Sequence, residues 1–298
     1  NSNGLFTDGP SSSSYNATAL PHVWSYQETK PIIGLSLDSQ NNVYLLMTQY
    51  TAPPNSKKQW RIDKVAIDPS GQPTAKGIIT VTLDNDTNPS ALAIGGDDAV
   101  FVAGQRVAVT VDTGVQDSTW KTIRIDQPAF AANSWTQVDG DNFSNYTSST
   151  GACDGEHPVA ITTDSNGAVY VAGDRYNSCT VHDMVVKKWN SKPLSSIATW
   201  GVSGLIAFDK AMPPQLSTDS STNLYVLAQN TSGTREITRY NPDGTPCTEG
   251  CFAGTLATIK LDDQLSSPIM LVRNKTMFIV GHTTISGKTA WTITEYGL

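Results

Sequence analysis

Short apolar runs separated by turn residues recur along this chain. The clearest is Pro158–Gly173, PVAITTDSNGAVYVAG. It reads as a strand, a turn over Asp164–Gly167, and a second strand over Ala168–Ala172. The pair Asn166-Gly167 signals a tight hairpin, because a type I′ turn needs positive φ at both central residues. Four other segments align with it: Pro31–Met47, Pro89–Gly104, Pro213–Ala228 and Pro268–Gly281. Each opens on proline and carries one aromatic in its second strand: Tyr44, Phe101, Tyr170, Tyr225 and Phe278. The steps between these aromatics are 57, 69, 55 and 53 residues. A strand-type period near fifty points to a propeller or a similar array.

The spacing leaves room for two further strands in each repeat. Third strands are expected at 60–68, 120–126, 184–189, 236–240 and 291–296. Fourth strands are expected at 77–84, 135–139, 199–203 and 255–262. The last repeat stops after its third strand, and His22–Gln27, HVWSYQ, is expected to supply the fourth. Pairing a strand from one chain end with the last repeat hides sheet edges. The fold class is therefore all-β: a single β-propeller of five four-stranded blades, the last closed by an N-terminal strand. Blades are expected at about 31–88, 89–157, 158–212, 213–267, and 268–298 plus 22–30, with residues 1–21 as a tail or connector. A β-sandwich is the alternative, but it does not require five equivalent hairpins.

The residues Asp164, Gly167, Val169-Tyr170-Val171 and Gly173, followed by Asp183–Lys188, resemble bacterial-type β-propeller repeats, which are similar to the NHL repeat. Ala66–Gly71 and Arg239–Gly244 resemble the end of the third strand in that pattern. The resemblance covers nearly all of residues 31–298. It implies the propeller fold and is nearly silent on activity. The second copy departs from the pattern with Gly95-Gly96-Asp97-Asp98 at its turn, and the fifth with Asn274-Lys275-Thr276.

Composition narrows the setting. Only 16% of the 298 residues are charged and the net charge is −7. That balance argues against nucleic acid as a partner, which would call for phosphate neutralisation by Lys and Arg. No apolar run approaches the ~20 residues of a membrane-crossing helix. Abundant Ser, Thr, Asn and Gly, with no Met at position 1, suggest a secreted protein whose signal peptide has been removed. Four cysteines allow three pairings. Placed on the blades, Cys153 and Cys179 fall on one face, and Cys247 and Cys251 flank a short loop on the other. The expected disulfides are therefore Cys153–Cys179 and Cys247–Cys251. Sequons for N-linked glycans stand at Asn16, Asn85, Asn142, Asn145, Asn230 and Asn274, all in expected loops, turns or the tail.

The chemistry is sparse. The histidines His22, His157, His182 and His282 show no metal-ligand spacing, and Asp139, Asp141 and Asn142 lack the register of a calcium loop. No nucleophile-elbow pattern is present, and no cofactor motif. The expected inner strands begin without a carboxylate, against a propeller glycoside hydrolase. Asp38, Asp164 and Asp219 stand at equivalent turn positions and read as Asx-turn residues. The seven tryptophans would suit a carbohydrate-binding lectin, but they recur at equivalent places, which suits packing between blades. The long stretch 139–157 is the candidate for a binding or capping loop. The tail carries Gly4, Leu5, Phe6 and Thr7, a short strand able to add to the sheet edge of a neighbour. The expected function is a secreted, glycosylated, non-enzymatic interaction module, a subunit of an extracellular assembly partnered by other proteins or its own copies. Lectin and hydrolase are the alternatives.

Overall fold

A computed structural model describes residues 4–7, 31–50, 58–69, 73–81, 87–109, 116–126, 137–143, 157–178, 181–191, 194–197, 199–201, 205–208, 213–229, 232–252, 257–262, 265–273, 275–285 and 288–298. Every regular element among them is a β-strand. In chain order, β1 (Gly4–Thr7) precedes the first repeat. The first repeat gives β2 (Ile32–Leu37), β3 (Val43–Tyr50), β4 (Lys58–Ile67) and β5 (Pro73–Val81). The second gives β6 (Thr87–Ile94), β7 (Val100–Val109), β8 (Gln116–Ile125) and β9 (Gln137–Phe143). The third gives β10 (Pro158–Thr163), β11 (Val169–Ser178), β12 (Val181–Ser191), β13 (Leu194–Ser196) and β14 (Leu205–Phe208). The fourth gives β15 (Gln215–Thr218), β16 (Leu224–Gln229), β17 (Arg235–Tyr240) and β18 (Thr258–Lys260). The last gives β19 (Ser266–Arg273), β20 (Thr276–Ile285) and β21 (Lys288–Gly297).

These strands form five antiparallel sheets, one per repeat. The first, second and fourth are simple meanders. In the third, β13 and β14 share the outer edge of β12, pairing with opposite ends of it. The fifth runs β1-β21-β20-β19, so its fourth strand comes from the other end of the chain. That place was expected for His22–Gln27, which lie outside the described residues. It is filled instead by Gly4–Thr7, with Gly4 opposite Ile293 and Phe6 opposite Trp291. A free sheet edge accepts any segment that can extend beside it.

Other boundaries also moved. Residues 199–201 are a turn, not a strand, and Trp200 within it packs edge-on to Tyr170 at 5.5 Å between ring centres. Residues 139–143, expected in a long loop, belong to β9, where Asn142 pairs with Lys121. The turn at Asn166-Gly167 is not type I′. Only Gly167 has positive φ there, at +83°, and its N–H bonds the Asp164 carbonyl at 3.0 Å. That is a type I turn closed by a left-handed residue. Asn41, Asp98 and Thr222 take the same conformation at the equivalent positions of the other repeats.

The first strands of the five sheets adjoin in the order β2, β6, β10, β15, β19. Apolar side chains alternate along each strand, so each sheet offers two packing faces. Tyr44 and Leu46 of β3 face forward and meet Leu92, Val100 and Val102, which face back from the second sheet. Phe101 and Ala103 meet Val169 and Val171 in the same way. Tyr170 and Ala172 meet Leu224 and Val226. Tyr225 and Leu227 meet Met277 and Ile279. One rule of alternation thus builds all four internal joints.

Hydrogen bonds add register to these joints. The Thr163 hydroxyl donates to the Ile94 carbonyl at 2.8 Å, and the Thr218 hydroxyl to the Thr163 carbonyl at 2.8 Å. The Gln215 side chain both donates to the Pro268 carbonyl and accepts from the Met270 N–H.

Candidate functional site

Three features gather polar or exposed apolar groups: the hairpin turns, a crevice between the third and fourth sheets, and the outer faces of the end sheets. The turns come first, because they carry the carboxylates picked out in the sequence. Asp38 Oδ1 accepts from the N–H groups of Gln40 and Asn42 at 3.0 and 2.8 Å. Its Oδ2 accepts from the Asn42 amide at 2.7 Å and the Tyr44 hydroxyl at 3.2 Å. Asp164 does the same with Asn166, Ala168 and Tyr170. Asp219 does so with Ser221, Asn223 and Tyr225. These are Asx turns, as expected, locked further by the next strand's tyrosine.

A cation completes two of these units. Lys64 Nζ lies 3.5 Å from Asp38 and over the Tyr44 ring at 5.2 Å. Lys188 Nζ lies over the Tyr170 ring at 5.0 Å. In the second sheet glycine replaces the turn aspartate and Phe101 replaces the tyrosine. There Arg124, stacked on Phe101 at 5.3 Å, reaches Asp97 and Asp126 at 2.5 Å each. The carboxylates of Asp38, Asp164 and Asp219 therefore act on their own hairpins, whereas Asp98 accepts from Ser39 of the first hairpin.

Their acidity follows. Burial pushes the Asp38 carboxyl up, but the Asn42 amide, two backbone N–H groups and Lys64 outweigh it and hold it below the usual carboxylate range. Burial and the adjoining carboxylate push the Tyr44 and Tyr170 hydroxyls well above their ordinary value. A carboxylate whose folded pKa is depressed stabilises the fold fully above its unfolded pKa near 4. That contribution is lost as pH falls through the lowered folded value. Asp38→Asn is expected to cost roughly 1–3 kcal/mol at neutral pH, and its thermal midpoint should fall less steeply than the parent's below pH 4. Melting curves followed by circular dichroism across pH 2–7 test this. Parallel profiles for the two proteins would contradict it.

The crevice has a volume of about 380 Å³ and is lined by Asp164, Asn166, Lys188, Asn190, Ser191 and Thr222, among others. Lys188 donates to the Pro242 carbonyl at 3.0 Å. Burial lowers its pKa, and Asp164 and Asp243 work against that. Both Asp164 oxygens are committed to the turn, so the crevice offers polar contacts without a free carboxylate aligned with the lysine.

The sequence-derived sites are distributed as follows. Cys247 and Cys251 are bonded, as expected. Cys153 and Cys179 lie outside the described residues, as do Asn16, Asn85, Asn145, Asn230 and Asn274. Asn142 lies in an edge strand rather than a loop. Trp60, Trp120 and Trp189 are fully buried and Trp200 nearly so. They pack within and between sheets, leaving Trp291 as the exposed tryptophan among the described residues. His157 Nε2 contacts the Gln105 amide at 2.9 Å, and His282 stacks on Trp291 at 5.5 Å. Among the described residues no cluster of His, Cys, Asp and Glu could hold a metal ion. No helix there is long and apolar enough to cross a membrane.

The outer faces of the end sheets had no signal in the sequence. Among the described residues, the large apolar side chains left exposed are Ile32, Ile33, Leu35 and Leu37 of β2, Ile269 and Leu271 of β19, and Trp291 and Ile293 of β21, together with Tyr50. All of them, Tyr50 at the end of β3 included, belong to the first and fifth sheets. Ile269 pairs with Val280, Leu271 with Phe278, Ile293 with Val280 and Trp291 with His282, so they tile one face of the fifth sheet.

No protein-family model matches the chain, and no curated protein matches it. Among solved structures, a point mutant of Synechocystis apocarotenoid oxygenase is similar over 87% of this chain and 57% of its own, at 9% identity and a TM-score of 0.44. Two chimaeras of that oxygenase with RPE65 give TM-scores of 0.44 and 0.45, at 9% and 8% identity. The chain thus spans little more than half the length of these structures. Likeness at this level adds nothing to the all-β architecture already described.

Proposed function

We propose that this chain is a non-enzymatic structural and interaction module. Its five sheets are read as blades of a propeller, and it acts as a secreted, glycosylated subunit of an extracellular assembly joined through its N-terminal segment. The observation that carries the reading is β1. Residues 8–31 separate it from β2, yet its four residues supply the outer strand of the fifth sheet. Backbone pairing of this kind depends on an edge and an extended segment, and only weakly on side chains. The β21 edge of one copy can take Gly4–Thr7 of another with the same hydrogen bonds. Exchange of an identical element between protomers is a low-cost route to association.

The test is Phe6→Pro in the full chain. Proline removes the N–H and disfavours ladder pairing, while the sheets from β2 onward keep all their residues. The variant is expected to fold and to sediment as smaller particles than the parent at equal concentration. Unchanged particle size would remove the N-terminal segment as the connector.

A further inference from the structure

In the first four sheets the third strand sets a cation opposite the aromatic of the second. By pairing register, Lys64 stands opposite Tyr44, Arg124 opposite Phe101, Lys188 opposite Tyr170 and Arg239 opposite Tyr225. Two of the four are arginines, whose guanidinium stays protonated and offers no lone pair. Lys64 is ion-paired with Asp38 at 3.5 Å. Lys188 is held differently. Its hydrogen bond goes to a neutral acceptor, the Pro242 carbonyl at 3.0 Å. Its Nζ sits 5.0 Å from the Tyr170 ring centre and 6.0 Å from that of Trp200. It is also the cation of the four that lines the crevice between the third and fourth sheets.

The crevice opens where the outer strand of the third sheet is broken. Ile197, just past β13, donates its N–H to the Lys188 carbonyl at 3.1 Å. β14 takes up the pairing again from Lys187. Between them, Gly201 turns to the fourth sheet and donates to the Asp243 carbonyl at 2.9 Å. The space of about 380 Å³ has mixed walls: Asn166, Asn190, Ser191 and Thr222 bring amides and hydroxyls, and Ile197 and Pro242 bring apolar surface. The carboxylate in the lining, Asp164, is committed to its turn. Thr222 holds φ at +64°, a β-branched residue where the equivalent positions are Asn41, Asp98 and Gly167. That region disfavours branched side chains, and such departures gather at ligand sites.

We propose that this crevice captures small hydroxylated aldehydes, the open-chain form of an aldose among them, with the Lys188 amine bonding the carbonyl carbon. The lysine is the nucleophile, and the amides and hydroxyls of the wall meet the hydroxyls of the ligand. Its carbon chain lies on Ile197 and Pro242. In the step itself the ammonium gives a proton to water and the nitrogen lone pair bonds the carbonyl carbon. The carbonyl oxygen then leaves as water, and an imine remains. The step needs the neutral amine, and burial favours it by lowering the Lys188 pKa, with Asp164 and Asp243 opposing. The Tyr170 hydroxyl beside the lysine donates to Asp164 at 2.9 Å.

The experiment treats the full-length protein with glyceraldehyde and cyanoborohydride, which reduces the imine to a stable secondary amine. Peptide mass spectrometry then follows each lysine over time. Lys188 is expected to be labelled several-fold faster than Lys260 and Lys275, both of which are exposed. The advantage should be largest at roughly pH 7 and shrink toward about pH 10, where ordinary lysines also lose their proton. Propanal, which has no hydroxyls, should show a smaller preference for Lys188. In Lys188→Arg, which keeps the charge, the label on that peptide should disappear. Label that persists there belongs to Lys187 and would overturn the proposal. So would labelling of Lys188 no faster than that of Lys260 and Lys275. An advantage independent of pH would assign it to exposure alone and overturn the role of the crevice. An equal preference with propanal would overturn the ligand class.

Discussion

Replacing Trp120 by alanine is expected to destabilise the protein by about 3–5 kcal/mol, the usual cost of emptying a buried aromatic site. Trp120 is fully buried between the second and third sheets, in a cluster with Phe101, Val169 and Val171. Its Nε1 donates to the Asp174 carbonyl at 3.0 Å, so truncation also strands a partly buried acceptor. The ring lies against Gly173, where an added Cβ would stand 2.7 Å from Trp120 Cζ2 and 2.1 Å from the His157 carbonyl oxygen. Gly104 receives Trp60 in the same manner. Gly173→Ala should therefore destabilise too, by about 1–3 kcal/mol or more for overpacking. Restoring space with Trp120→Ala should not cancel this, because the backbone clash remains. Urea unfolding of the two single variants and the double variant checks both claims. A double variant more stable than Gly173→Ala alone would mean that the ring, not the backbone, sets the cost.

The second large effect concerns Arg124, and its size depends on which partner is removed. The Arg124 side chain is 1% exposed, while the Asp97 and Asp126 side chains it meets are 52% and 35% exposed. It also donates to the Ser191 carbonyl at 3.2 Å, tying the second sheet to the third. Arg124→Met removes a buried charge and leaves two acids that reach water, so the expected loss is about 1–2 kcal/mol. Removing both acids as Asp97→Asn with Asp126→Asn strands the guanidinium inside, at about 3–5 kcal/mol. Guanidinium is an ionic denaturant and screens such pairs, so urea is the better probe here too. Equal losses for the two changes would show that burial of Arg124 does not govern the balance.

Much of this was legible in the chain. The five hairpins, the third strands beginning near Trp60, Trp120 and Trp291, and the Cys247–Cys251 bridge follow from short-range patterns. The Asp–Tyr lock was also there to be read. Tyr44, Tyr170 and Tyr225 occur where the turn has Asp38, Asp164 and Asp219, whereas Phe101 follows a turn with Gly95. A hydroxyl is kept where a carboxylate can accept it. The type of turn at Asn166-Gly167 was not legible, because the same dipeptide serves a type I turn ending in a left-handed glycine. The fourth strand of the fifth sheet was assigned to the wrong segment, because edge pairing is set by reach and backbone geometry, and HVWSYQ and GLFT are both acceptable on those terms. The exposed end faces could not be foreseen at all. Ile269 and Leu271 look like core residues in sequence, and only the absence of a neighbouring sheet makes them surface.

The pairing of β1 with the β21 edge makes association of copies the central claim. The direct measurement is the particle mass of the full-length protein by light scattering over a hundredfold range of concentration, with electron microscopy of the same samples. The account predicts particles heavier than one chain that grow with concentration, elongated or ring-shaped because β1 and the β21 edge that receives it are different surfaces. A single species with the mass of one chain at every concentration would contradict it.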